Sequence, residues 1–210
     1  MTDATCKRCG DALTDHQATD KHRSDKHRSD EHRSVAKRVL ATSALAGLSL
    51  LLCYASLIRT SDPITFAQRQ TVNRAIDLIG QKGFAREAFV LHSAANYRLT
   101  DNWWNRWVGH ADAYAATNFP FEVVTLYPDF FSVPIDDVER AIILLHEARH
   151  LLGKGEPAAF ADVWRSKKQL GWTIDTHGHT HVWKSVREFT THYAPKLFQC
   201  GLEGQADCME

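Results

Sequence analysis

The sequence predicts an α+β domain preceded by one transmembrane helix and a disordered N-terminal tail. Three observations carry this. Residues 39–58 hold no charged side chain. Residues 1–38 are polar and repetitive, with almost nothing to bury. Residues 62–210 mix helical and strand-like periodicities without a βαβ rhythm.

The tail contains Lys-His-Arg-Ser-Asp twice, from Lys21 and from Lys26, and Glu31-His32-Arg33-Ser34 is nearly a third copy. Such composition cannot offset the entropy of ordering, so disorder is expected. Cys6 and Cys9 form C-x-x-C, half of a zinc site, which His16 or His22 would have to complete at irregular spacing. The basic repeat can meet anionic lipid heads or be merely solvated.

The run VLATSALAGLSLLLCYASLI, residues 39–58, is long enough to span a hydrocarbon core of about 30 Å. A cleavable signal peptide competes, but its charged leader is usually far shorter than the segment found here. Lys21, Arg23, Lys26, Arg28, Arg33, Lys37 and Arg38 precede the run, against Arg59, Arg69 and Arg74 in a similar length after it. The positive-inside rule therefore puts the N-terminus in the cytoplasm. Residues 62–210 then lie outside, in a bacterial periplasm or at a cell surface.

Within that domain, Asp62-Pro63 opens a helix carrying Phe66, Val72, Ile76 and Ile79 to a stop at Gly80. Glu87 to His92 reads as a short strand, and Phe121 to Tyr127 as another. Between them lie Trp103, Trp104, Trp107 and Tyr114, expected in the core, with a substrate wall or a membrane contact as alternatives. Helices follow over Ile135–Leu152, Glu156–Leu170 and Trp183–Tyr193. Cys200 and Cys208 close a short loop, and outside a membrane a disulfide is expected there.

Charge excludes little but informs. Lysine plus arginine equals aspartate plus glutamate, 25 each, so no global field argues for a nucleic-acid partner.

Chemistry concentrates in Ile135–Leu152. Asp136, Asp137 and Glu139 sit where the helix dipole favours acids, and Gly153 suits the C-terminal stop. His146 and His150 are four apart, so two imidazoles can address one ion from one helix face. Glu147 is rotated by about 100° from His146, placed to take a proton rather than to bind the metal. Two histidines and a glutamate are costly to bury without partners, which disfavours an ordinary core helix.

The segment HEARHLLGKGE resembles the zincin metallopeptidases. Gly153 and Glu156 extend it to H-E-x-x-H-x-x-G-x-x-E, similar to metzincins except that Glu stands where His or Asp is usual. Glu156-Pro157-Ala158-Ala159 also resembles the E-x-x-A of gluzincins, after an unusually short connection. Both comparisons select Glu156 as third ligand. It is also an ordinary acid for a helix N-terminus beside Pro157. The resemblance covers roughly residues 119–170 and implies a zincin-like domain. In it, the strand Phe121 to Tyr127 would line the cleft and pair with an extended substrate.

The resemblance further implies a Zn²⁺ cofactor held by His146, His150 and Glu156, with Glu147 as the base that activates zinc-bound water. A Tyr or His would stabilise the oxyanion: Tyr193, His192, or one of His177, His179 and His181. Those last three could instead supply the third ligand, form a second site, or sit in a solvated loop. The expected function is a membrane-anchored zinc metallopeptidase acting on a peptide or protein substrate. The alternatives are hydrolysis of another bond and a non-catalytic envelope protein that binds or scaffolds. Glu147 favours an enzyme, because a structural site needs no base.

Overall fold

In the computed structural model, residues 35–108, 113–201 and 206–209 are described. The expected zinc half-site Cys6 and Cys9 lies outside them, with most of the tail. The chain forms two compact units, residues 1–53 and 54–210. Helix α1, Val35–Arg59, is long and apolar enough to cross a membrane, a property that signal sequences share. It begins a little before the uncharged run and ends one residue after it.

The second unit is mostly helical around a small mixed sheet, as the α+β reading requires. Its elements are α2 (Phe66–Gln81), α3 (Ala85–Ser93), β1 (Asn96–Arg98), α4 (Trp103–Val108), β2 (Ala115–Asn118) and β3 (Val123–Leu126). There follow α5 (Pro128–Ser132), α6 (Asp137–Leu151), α7 (Glu156–Leu170), α8 (Ile174–His177), α9 (His181–Tyr193) and a 3₁₀ turn, Pro195–Phe198. The last residues of α1 belong to this unit: Leu57 is fully buried, and Asn96 Nδ2 donates to the Tyr54 hydroxyl at 3.1 Å.

Helix α2 starts at Phe66, later than Asp62-Pro63 predicts, and runs through the expected stop Gly80 to Gln81, whereas α6 and α7 follow their sequence signals closely. Thr65 caps α2 in a reciprocal capping box with Gln68. Asp136 caps α6, accepting from the backbone of Val138 and Glu139 at 3.0 Å each. The chain leaves α6 through Gly153 at φ 79°, a backbone region that glycine enters without cost. Helix α7 has the expected bounds, Glu156–Leu170.

The strand expected at Glu87–His92 is a helix instead, α3. Its apolar run is too short for periodicity to decide. The helix puts Glu87 and Leu91 on one buried face, where Glu87 meets Arg149 of α6 at 2.5 Å. The sheet has order β1-β3-β2, with β1 parallel and β2 antiparallel to β3. Phe121–Tyr127 thus contains β3, but as the central, fully buried strand, paired on both sides. It has no free edge to offer a substrate, so that expectation fails. The edge strands are β1 and β2; β2, the one that packs against α6, has no clear alternation in sequence.

Helix α6 is the hub, packed against α2, α3, α7 and β2. Ala141, Ile142, Leu144, Leu145 and Ala148 are fully buried. A second cluster joins Trp164, Trp172 and Trp183, with ring centroids 4.5–5.9 Å apart. The tryptophans of α4 behave otherwise, and their expected core role is overturned: Trp103 and Trp107 are exposed. Their residue type suited a core, but Trp103 keeps a tilted ring contact with Trp104, centroids 5.8 Å apart, and a bond to Ser56 among the described residues.

Candidate functional site

The i, i+4 spacing on α6 puts the two imidazoles side by side, with Nε2 of His146 and Nε2 of His150 2.9 Å apart. Gly153 turns the chain so that α7 begins above them. Glu156, the first residue of α7, then brings Oε2 to 3.2 Å from His146 Nε2 and Oε1 to 3.3 Å from His150 Nε2. Among the described residues, these three are the group whose ligand atoms converge, all within 4.8 Å of one another.

Convergence of lone pairs has electrostatic consequences. Burial pulls the His150 imidazolium down, but the Glu156 hydrogen bond, the Glu147 charge and the Lys154 carbonyl outweigh it and push its pKa up to about 9. The His146 and His150 hydrogen bonds hold the Glu156 carboxyl well below the usual carboxylate range. His150 and Glu156 are each stabilised in the charged form by the other.

The outer nitrogens differ. His150 Nδ1 lies 2.8 Å from the Lys154 carbonyl, which accepts its hydrogen bond, so in the neutral ring Nε2 is the inward lone pair. His146 Nδ1 is buried and has no hydrogen-bond partner among the described residues, and its ring packs on Phe160 with centroids 4.3 Å apart.

Glu147 points elsewhere. It is buried, and Thr117 on β2 donates to its Oε2 at 2.7 Å. Both groups open onto one cavity of about 640 Å³. One wall is β2, Ala115 to Asn118; another is Phe160, Phe189 and Tyr193. Phe160 stacks on Tyr193 at 5.3 Å and 8°. Trp104, Asn105 and Val108 of α4 complete the rim with Phe119.

The 177–181 cluster does not gather, and none of its histidines lines this cavity. A turn of helix and Gly178 separate the rings. His177 is buried and holds Asp136 Oδ2 at 3.1 Å, tying α8 to the cap of α6. His179 is exposed. His181 Nδ1 is 2.7 Å from the Tyr114 hydroxyl. Of the expected oxyanion residues, Tyr193 lines the cavity and His192 does not. Cys200 and Cys208 form the expected disulfide.

Sequence reasoning missed Thr117 and β2 altogether, while the substrate-wall alternative for Trp104 and Tyr114 matches their place in the lining. The one available signal was the Asn118-Phe119-Pro120 turn before β3, which marks a hairpin. Comparison with protein-family models, curated proteins and solved structures finds no match.

Proposed function

We propose that this chain is a membrane-anchored, zinc-dependent peptidase whose zincin-like domain works outside the cytoplasm. The observation that carries the reading is the convergence of His146, His150 and Glu156 beside a separately held Glu147 in one cavity.

The donor set suits zinc: two imidazole nitrogens and one carboxylate oxygen, with a cavity side left open for water or substrate. The His150–Lys154 contact supplies the outer hydrogen bond that such ligands use. His146 lacks the corresponding contact. When bound, the ion supplies Lewis acidity toward a water and a carbonyl. Glu147 does the proton work. Thr117 fixes Oε2, so the carboxylate presents its other oxygen to accept a proton from water and return it to the leaving amine. Edge strand β2 offers main-chain groups to an extended peptide, the part first expected of Phe121–Tyr127. Tyr193 is the lining hydroxyl offered to a developing oxyanion; Tyr114, also in the lining, bonds to His181 Nδ1.

The test uses the full chain in detergent, because Leu57 is buried in the domain and truncation after the apolar run would expose its site. Bound metal and peptide hydrolysis are measured for the native chain and Glu147→Gln. Both should carry zinc, and the variant should lose about 10²–10⁴ in rate. A chain that never binds metal sinks the reading. Equal rates sink Glu147 as the base.

A further inference from the structure

The end of the apolar helix is built into the domain. Residues 39–58 are uncharged, and as helix they measure about 30 Å, the thickness of the hydrocarbon core. Residues 54–58 are not free to lie alone in lipid. Ser56 Oγ accepts from Trp103 Nε1 at 2.9 Å, Leu57 is fully buried, and the Ile58 carbonyl accepts from the Arg98 guanidinium. The remaining stretch, 39–53, reaches only about 22 Å, roughly 8 Å short of a full crossing. Drawing Lys37 and Arg38 inward to make up the difference would put two cations into hydrocarbon. The turn at 54–58 must therefore sit at the membrane boundary, and what is bonded to it sits there too.

That neighbour is α4. Besides the Ser56 contact, the backbone N–H of Trp103 donates to Thr60 Oγ1 at 3.3 Å. Trp103 is 40% exposed and Trp107 81%, whereas Trp164, Trp172 and Trp183 are buried. Tryptophan is the side chain that favours the headgroup layer, with an apolar body and one donor. Arg59 and Arg106 are exposed beside it, with stems long enough to reach phosphates. The helix end is also prepared for low dielectric. Ser61 Oγ donates to the Leu57 carbonyl and Thr60 Oγ1 to the Ser56 carbonyl, both at 2.8 Å, so the last turn leaves fewer acceptors bare.

We infer that α4, through Trp103 and Trp107, is an interfacial anchor bedded in the headgroup layer of the membrane that α1 crosses. The inference rests on α1 being a retained span. Its consequence is for substrate: Trp104 and Val108 of the same helix line the cavity, so the site opens within about one helix diameter, 10–12 Å, of the lipid surface. Membrane-proximal peptide segments are the substrates so placed.

The test reconstitutes the full chain into phosphatidylcholine vesicles with brominated acyl chains. Flotation first reports whether the chain is held. Tryptophan emission is then compared for the native chain and Trp107→Phe, with acrylamide as the aqueous quencher. Brominated lipid should quench part of the native emission, and Trp107→Phe should lose more than half of that quenchable part. Equal lipid quenching in the two chains, or free access of acrylamide to Trp107, overturns the anchor while leaving the span intact. Shielding from acrylamide without lipid quenching also overturns it, and points to a second copy or another protein on this face. A chain that does not float removes the span and the anchor together.

Discussion

At the C-terminal end of α7, Lys167 is 1% exposed and is paired with Asp207. The same carboxylate accepts from Trp164 Nε1 at 3.0 Å and from the Met209 backbone at 2.8 Å. The ammonium also lies 4.5 Å from the Trp164 ring and 5.1 Å from that of Trp183. At the N-terminal end, Glu156 is half exposed and meets the Nε2 atoms of two imidazoles that lie 2.9 Å from each other. One end closes charge with donors matched to acceptors. The other gathers acceptors and leaves the balance to a proton or a cation. A buried charge that serves the fold is saturated by its neighbours; a cluster that serves chemistry is left with capacity.

The contrast can be broken experimentally, beginning with the closed end. Asp207→Ala removes the carboxylate paired with a buried ammonium and should cost about 3–5 kcal/mol in urea unfolding of the detergent-solubilised chain. A loss below about 1 kcal/mol would show that Lys167 escapes to water.

At the open end, zinc at 100 times its Kd should stabilise the native chain by about 2.7 kcal/mol. Glu156→Gln should gain far less. Without metal the two should differ by less than about 1 kcal/mol, because the Glu156 pair is half exposed. A large metal-free loss would make Glu156 a structural residue and remove the contrast.

Reducing Cys200–Cys208, eight residues apart, should cost about 2–3 kcal/mol by releasing the C-terminal segment that carries Asp207. Melting with and without reductant reads this, and an unchanged midpoint would mean that Asp207 holds the tail alone.

The smallest effect is in acid. Burial raises the Asp207 carboxyl, but Lys167, the Met209 N–H and Trp164 bring it below its ordinary value. Its folded pKa is depressed, so its stabilisation is present above about pH 3.9 and is lost as pH falls through the folded value. The pH dependence of stability should flatten there in Asp207→Asn; an unchanged slope would assign it to another carboxylate.

Much of this was legible because it is local. The apolar run, the capping of α6 by Asp136, the glycine exit at Gly153 and the bounds of α7 all depend on residues within a turn or two of each other. So does the pairing of His146 with His150, which four-residue spacing on one helix enforces. The short apolar run at 87–92 was ambiguous because its helical face is defined by α2 and by α6, where Arg149 lies 62 residues from Glu87.

The sequence by itself determined that two imidazoles share a helix face, that a glutamate lies between them, and that an uncharged helix precedes the domain. Tertiary structure decided that Glu156, and none of His177, His179 or His181, meets the imidazoles. It decided that β2 and not β3 is the edge, that Thr117 holds Glu147, and that α4 turns its tryptophans outward beside the end of α1. The physical reason is reach: periodicity and capping are fixed by neighbours along the chain, whereas strand order, side-chain partners and exposure are fixed by what the rest of the chain brings against them.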